Sequence, residues 1–316
     1  MTQSQSKIIN LTSKTLIVIC GPTAVGKTDF AISLAQKLQT EIISADSRQL
    51  YKEIPIGTAQ PSGEELGQVK HHFVADRSIT EDYNAGMFER DALQLLQTLF
   101  QKHDKVICCG GTGLYIKAVC HGLDDVPKAD EAIRKKLVNR FEAEGLESLQ
   151  SQLKELDPVH FEKMDTQNPQ RVIRALEVCL STGKPFSSFH GGEKKERPFL
   201  IQKIGLELPR EELNERINTR VDSMLENGWL EEVKSVFEKR HLNALNTVGY
   251  KELFAHLAGE MTLEEATEKI KINTRRFAKR QMTWFKNDKE VKWYENLDEQ
   301  TPKQLLVSIT KRSKNG

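Results

Sequence analysis

Residues 21–28 read GPTAVGKT and match the phosphate-cradling pattern G-x-x-x-x-G-K-[S/T]. The glycines let backbone N–H groups approach an anion closely, and the helix that starts at the loop adds the positive end of its dipole. Lys27 contributes a point charge and Thr28 a hydroxyl able to ligate Mg²⁺. Gly21, Pro22, Thr23, Ala24, Val25, Gly26, Lys27 and Thr28 are therefore the candidate diphosphate or nucleotide site. The plain alternative is a glycine-rich turn with a helix-capping threonine.

A nucleoside-triphosphate hydrolase also needs an acid at the end of another apolar strand, to organise Mg²⁺ and water. The strand candidate KVICC (105–109) runs into GGTG and carries none. A different apolar run, EIISAD (41–46), does end in one, Asp46. Ligands bind at the C-terminal edge of an open parallel sheet. A single carboxylate there can hold Mg²⁺ through water or act as a general base; a cap or turn former is the alternative. Two further groups are basic. Arg216 and Arg220 lie i,i+4 on one helix face in RINTRVDSML, a pattern that is usually just solvated. TRRFAKRQMTWFK (274–286) holds Arg275, Arg276, Lys279, Arg280 and Lys286 with no acid, a patch suited to RNA phosphates. Its Phe277, Trp284 and Phe285 recur at helical spacing and are read as core. His71 and His72 are too few for a metal site.

Strands alternating with helices must position these groups. TLIVIC (15–20), EIISAD and KVICC read as strands; residues 28–38 and AGMFERDALQLLQTLFQKH (85–103) read as helices. The stretch between, with Gly57, Pro61, Gly63 and Gly67, reads as loop. The class is α/β: a P-loop core with a parallel sheet flanked by helices, plus an all-helical insertion. The core occupies 1–125 and 195–316, the second segment mostly helical, with a strand at 199–208 and helices at 210–227, 229–239 and about 262–287. The insertion spans 126–194. The end, KRSKNG, reads as a mobile tail.

Composition narrows the class without naming a function. The 316 residues are 29% charged and 38% hydrophobic, with a net charge of +1, so an RNA partner has to be argued from local patches. The N-terminus MTQSQSKIIN has no apolar h-region, and no apolar run approaches the roughly 20 residues of a membrane span. Five cysteines at 20, 108, 109, 120 and 179 form no C-x-x-C pair and read as small buried hydrophobes in a cytoplasmic protein.

Taken together, GPTAVGKT, ISADSRQLYKEIPIGTAQP, HHF, CGGTGLYIKAV, NPQRVIRALEV, TGKPFS, RINTRVDSMLENG, TVGYKE and TRRFAKRQMTWFK resemble the tRNA dimethylallyltransferases, or tRNA isopentenyltransferases. The likeness runs in order from about residue 15 to 290. Asn168-Pro169 is a mild departure. With no Cys/His cluster after Tyr294, the resemblance is to the bacterial form. It implies transfer of a dimethylallyl group from dimethylallyl diphosphate to N6 of the adenosine 3′-adjacent to the anticodon, in tRNAs reading codons that begin with U. Mg²⁺ is the implied cofactor and Thr28 its implied ligand. The anticodon stem-loop is the implied partner, and a monomer is expected.

The resemblance assigns roles residue by residue. Asp46 matches the general base, with Thr23 and Arg220 as its catalytic companions at the leaving diphosphate. Asp46, Ser47, Arg48, Gln49, Thr112, Arg134, Gln170, Arg171, Val172 and Ile173 match tRNA contacts, as do Asn246, Thr247, Val248, Gly249, Tyr250 and Lys251. The basic residues Arg275, Arg276, Lys279 and Arg280 join them. Thr23 and Thr112 also read as ordinary turn hydroxyls, and Arg174, i,i+3 from Arg171, as a solvated face. Two other classes fit part of the pattern. A P-loop kinase shares the loop and the core, but the missing strand-end acid and the basic helix near 280 oppose it. A non-catalytic RNA-binding protein has no need for Lys27, Thr28 and Asp46 together.

Overall fold

A computed structural model of the chain describes residues 14–128, 130–192 and 194–295. The tail ending in KRSKNG lies outside the described residues. The chain folds as two compact units, one of 122–196 and one made by the segments on either side of it.

The first unit begins β1 (Thr15–Cys20), α1 (Lys27–Leu38), β2 (Ile42–Ser44), α2 (Gly63–Gln68), β3 (His71–His72), α3 (Ala85–Leu99), β4 (Lys105–Gly110) and α4 (Gly113–His121). The helical unit holds α5 (Glu131–Glu144), α6 (Leu146–Leu156), α7 (Pro158–Phe161) and α8 (Pro169–Thr182). Back in the first unit follow β5 (Leu200–Glu207), α9 (Arg210–Glu226), α10 (Trp229–Ser235), α11 (Tyr250–Leu257), α12 (Leu263–Lys286) and β6 (Val291–Glu295).

The six strands form one sheet in the order β3-β2-β4-β1-β5-β6, every pair parallel. All six residues of β1 are buried, as a continuous apolar run requires when both sheet faces are covered. Ile17 and Ile19 pack with Phe30, Ile32 and Leu34 of α1 on one of those faces. The helical unit has its own core, in which Leu149, Leu153, Val172 and Leu176 are fully buried.

Three elements depart from the sequence reading. The segment at 63–68, read as loop, is a helix. Its glycines disfavour it by roughly 1 kcal/mol each relative to alanine, but a capping box offsets them: Ser62 Oγ accepts from Glu65 N, and Glu65 from Ser62 N. His71 and His72 form an edge strand of two residues, and His72 Nε2 lies 2.7 Å from Glu41 Oε2. Residues 291–295 are the other edge strand. An unusual anchor holds the approach to it: Lys203 of β5, its side chain 2% exposed, donates to Asp288 (2.6 Å) and Glu290 (2.9 Å). Burial works against the Lys203 charge, but the two carboxylates outweigh it and hold the pKa above the ordinary lysine value.

The C-terminal ends of β1, β2 and β4 converge on one edge. There Ala45 N donates to Cys109 O (2.7 Å) and Thr112 N to Ala45 O (3.1 Å). Gly110 lies so close beneath this crossing that a Cβ on it would stand 2.3 Å from Ala45 O. Gly110→Ala is accordingly expected to destabilise the protein by about 1–3 kcal/mol through overpacking against backbone. Thermal denaturation checks this; an unchanged Tm would mean that the strand ends separate freely.

Candidate active site

The anion loop turns from β1 into α1 through conformations that side chains resist. Gly26, just before α1, has φ 93°, which glycine adopts readily. Ala24 has φ 64° without being glycine, a strain of the kind that clusters at ligand sites. No side chain caps α1, so its first N–H groups are open to an anion. Val25 is 2% exposed and packs into the core, so only its backbone serves the loop. Lys27 Nζ donates to Pro22 O at 2.6 Å and has two further N–H groups to offer. Burial pulls its pKa below the ordinary 10.5, and nearby Arg220 adds to the effect.

A cavity of about 420 Å³ opens here, lined by Gly26, Lys27, Thr28, Arg216 and Arg220. Thr28, Asp29 and Asp46 line it as well, and their oxygens are hard donors of the kind Mg²⁺ accepts. Cys109 lies in the same wall; burial pushes its pKa up to about 12, which keeps it a thiol. All five cysteines are free.

Asp46 stands two residues beyond β2. Its Oδ1 accepts from Arg48 N (2.9 Å) and Gln49 N (3.3 Å), so it does form a turn. That role occupies one oxygen: Oδ2 accepts no hydrogen bond among the described residues. Thr112 fixes the same turn from the other side, its Oγ1 accepting from Ser47 N at 3.0 Å.

A second, wider cavity of about 670 Å³ shares Thr23, Asp46, Arg220 and Gln281 with the first. With Ala24, Thr58, Gly111 and Phe277, which also line both, they form the neck between the two. Arg220 on α9 places NH1 3.4 Å from Thr23 Oγ1. Burial lowers the Arg220 pKa, and the Asp46 and Glu65 carboxylates pull it back; the guanidinium stays charged. Beyond the neck the wall is apolar along Ile217, Val221 and Met224, with Asn246, Thr247, Val248 and Lys251 also lining the cavity.

Gln281 lies within TRRFAKRQMTWFK, but the sequence reading gave it no role. It is 7% exposed, accepts from Thr23 N (2.9 Å) and donates to Gly111 O (2.9 Å). The available signal was its spacing, one turn from Phe277 and one from Phe285, which places a polar residue on an inward stripe. The aromatic reading of that helix needs correction. Phe285 is core at 3% exposure, but Phe277 and Trp284 are 40% and 45% exposed and line the wider cavity. The neighbours Trp284 and Phe285 thus differ in exposure, and spacing alone does not distinguish core from cavity wall.

The basic and RNA-assigned residues divide similarly. Arg276, Lys279 and Arg280 are exposed, whereas Arg275 donates to Asn218 Oδ1 and Lys286 pairs with Glu207 at 2.7 Å. Arg48 turns inward, its NH1 donating to Asn243 O (2.9 Å) and Ala244 O (3.0 Å). It thereby braces the segment that carries Asn246 to Val248. Gln49 Nε2 donates to Ala59 O at 2.7 Å. Tyr250 is fully buried; its hydroxyl donates to Glu232, which also accepts from Ile56 N and Gly57 N. Gly249 N is held by Glu252.

In the helical unit, Gln170 and Arg171 are exposed, while the side chains of Val172 and Ile173 are buried in its core and cannot meet a ligand. Arg174 is not on a solvated face. With Arg134 it flanks Glu177, a carboxylate with no exposure, at 3.5 and 3.3 Å. Among the described residues, no helix is long and apolar enough to cross a membrane.

Comparison with known proteins points one way. Residues 49–288 match the sequence model of the family described as IPP transferase. The chain is 51% identical over 302 residues to tRNA dimethylallyltransferase 2 of Azobacteroides pseudotrichonymphae, covering 95% of this chain and 98% of that one. It is 53% identical over 282 residues to a tRNA dimethylallyltransferase of Cytophaga hutchinsonii, covering 89% and 93%. Among solved structures it resembles the tRNA isopentenylpyrophosphate transferase of Bacillus halodurans, with a TM-score of 0.71, 35% identity and coverage of 96% and 97%. It also resembles a eukaryotic dimethylallyltransferase acting on tRNA, with a TM-score of 0.78, 28% identity and coverage of 94% and 79%.

The charge of Lys27 makes the anion site titratable. Protonated Lys27 favours an anion, so replacing it by methionine should weaken binding of inorganic diphosphate by about tenfold or more. Because its pKa lies below 10.5, the gap between wild type and Lys27→Met should narrow as the pH is raised, beginning below 10.5. Isothermal titration calorimetry across that range checks both; equal affinities at neutral pH would remove Lys27 from the site.

Proposed function

The chain belongs to the IPP transferase family, and from that premise we propose that it transfers a dimethylallyl group from dimethylallyl diphosphate to tRNA. The acceptor is the exocyclic N6 of the adenosine 3′-adjacent to the anticodon, in tRNAs reading codons that begin with U. The observation that carries this reading is the neck: Asp46, Thr23 and Arg220 stand where an anion cavity meets a wider, partly apolar one.

The diphosphate occupies the narrower cavity, against the α1 N-terminus, Lys27 and Arg220. The adenine, turned out of its stack as enzymes acting on bases require, enters through the wider one. N6 attacks C1 of the dimethylallyl group as the C1–O bond to diphosphate breaks, and the bonding pair leaves on oxygen. Lys27, Arg220 and the loop N–H groups stabilise that developing charge. The N6 proton passes to Oδ2 of Asp46, the carboxylate oxygen that the turn leaves open. Mg²⁺ bound by Thr28 with Asp29 would add positive charge to the leaving group. The exposed Arg276, Lys279 and Arg280 on α12, and Gln170 and Arg171 in the helical unit, serve RNA contact.

A kinase would use the same loop. It is disfavoured because β4 ends in Cys109 and Gly110, where an acid would organise metal and water.

Asp46→Asn keeps an acceptor at Oδ1 for the turn and removes the base. Prenyl transfer should fall by about 10²–10⁴-fold, with tRNA affinity within a few-fold of wild type. Incubation with tRNA and labelled dimethylallyl diphosphate, beside labelled ATP, measures it. A normal rate in the variant would exclude Asp46 as base; label entering RNA only from ATP would favour the kinase.

A further inference from the structure

The neck has two walls that come from different parts of the chain. One is the anion loop, carrying Thr23. The other is the Asp46 turn, held from beneath by Thr112, whose backbone N–H reaches Ala45 O and whose hydroxyl accepts from Ser47 N. Both walls are reached by a single side chain from α12. Thr23 N donates to Gln281 Oε1 at 2.9 Å, and Gln281 Nε2 donates to Gly111 O at 2.9 Å, one residue before Thr112. Only one orientation of the amide works, because the reverse sets donor against donor at Thr23 and acceptor against acceptor at Gly111.

We propose that Gln281 is the positioning residue that sets the separation of the two walls, and with it the place of Thr23 relative to Asp46. Three observations support this. Gln281 lines both cavities at the neck yet is 7% exposed, so its amide is committed to protein rather than to solvent. Among the described residues it supplies the hydrogen-bonded link between Thr23 and the Gly111–Thr112 turn. The same helix carries the exposed Arg280 and Trp284, so the element that faces outward with basic and aromatic groups also clamps the catalytic walls.

The inference rests on the transferase reading, and two variants test it. Gln281→Met keeps approximate shape and removes both hydrogen bonds without adding charge. Displacement of a reacting group by as little as 1 Å can slow a reaction by ~10²-fold. The single-turnover transfer rate should therefore drop by about tenfold to a hundredfold, with the KM for tRNA changed less than threefold and the ratio to wild type flat with pH. Gln281→Glu behaves differently. Its carboxylate accepts from Thr23 N but cannot donate to Gly111 O, whereas the protonated carboxyl does both. Burial raises the pKa of a glutamate above its ordinary ~4.3. Its rate relative to wild type should thus be low at pH 8 and climb on acidification above that of Gln281→Met. Dividing by the wild-type rate at each pH removes the pH dependence that the variants share with wild type.

Near wild-type transfer by Gln281→Met would overturn the proposal, since the defect of the Glu variant would then be one of charge alone. So would a defect confined to the KM for tRNA, or a Glu ratio that is flat with pH. If wild type itself transfers no dimethylallyl group, the transferase reading fails instead. The affinity of both variants for inorganic diphosphate, taken as a ratio to wild type over the same pH range, then decides the role of Gln281 by the same pattern. Thermal denaturation of each variant separates displacement of the walls from loss of the fold.

Discussion

On the proposed reading a carboxylate base and a diphosphate meet at the neck, and their like charges repel each other. Two like charges about 4 Å apart interact by ~4 kcal/mol at an effective dielectric near 20. Lys27 and Arg220 line the anion cavity, and each feels Asp46 as a charge that raises its pKa against the opposing effect of burial. Yet among the described residues neither cation pairs directly with Asp46: Lys27 donates to Pro22 O, and Arg220 to the Thr23 hydroxyl. The observed arrangement sets two cations at the anion cavity and leaves Oδ2 without a hydrogen bond among the described residues.

The sheet order fixes how far apart these groups stand. The anion loop follows β1 and Asp46 follows β2, with β4 between them. Two strand spacings amount to about 9–10 Å, room for a small ligand between the strand ends. The floor of that gap is the end of β4, and there Gly110 passes beneath Ala45 too closely to carry a side chain. The second acid of a nucleotide hydrolase is thus absent in sequence and sterically excluded at this position. The strand-end carboxylate here is Asp46, displaced to the neighbouring strand.

Legibility in the sequence followed the length of the signal. β1, its loop and α1 were readable because a continuous apolar run, a spaced set of glycines and a 3.6-residue stripe occur in succession. The edge strands were not: His71–His72 and Val291–Glu295 are strands because a neighbour pairs with them and, for the latter, because Lys203 gathers the carboxylates just before it. Residue type identified the anion loop and Asp46, but not the partner each polar group finds. Arg48 and Arg275, both assigned to RNA contact from the sequence, are turned inward onto protein oxygens. Glu177, not singled out from the sequence, is a buried counter-charge between Arg134 and Arg174. Such pairings join segments distant in sequence, which local spacing does not record.

The choice of an amide at position 281 follows from the same electrostatics. The neck needs a group that accepts from one wall and donates to the other, and it must do so beside an anion. A glutamate would bring a further negative charge to a neck that already carries Asp46 and opens onto the anion cavity. A lysine or arginine has no acceptor for Thr23 N. A serine or threonine on α12 has one oxygen and a short reach. Glutamine alone among the common side chains offers both functions, neutrality at every working pH and enough length to span from a helix to two loops. The burial of an amide is costly only when its hydrogen bonds are unmade, and here both walls supply them, so the brace is stable when the walls are correctly placed and unfavourable when they are not.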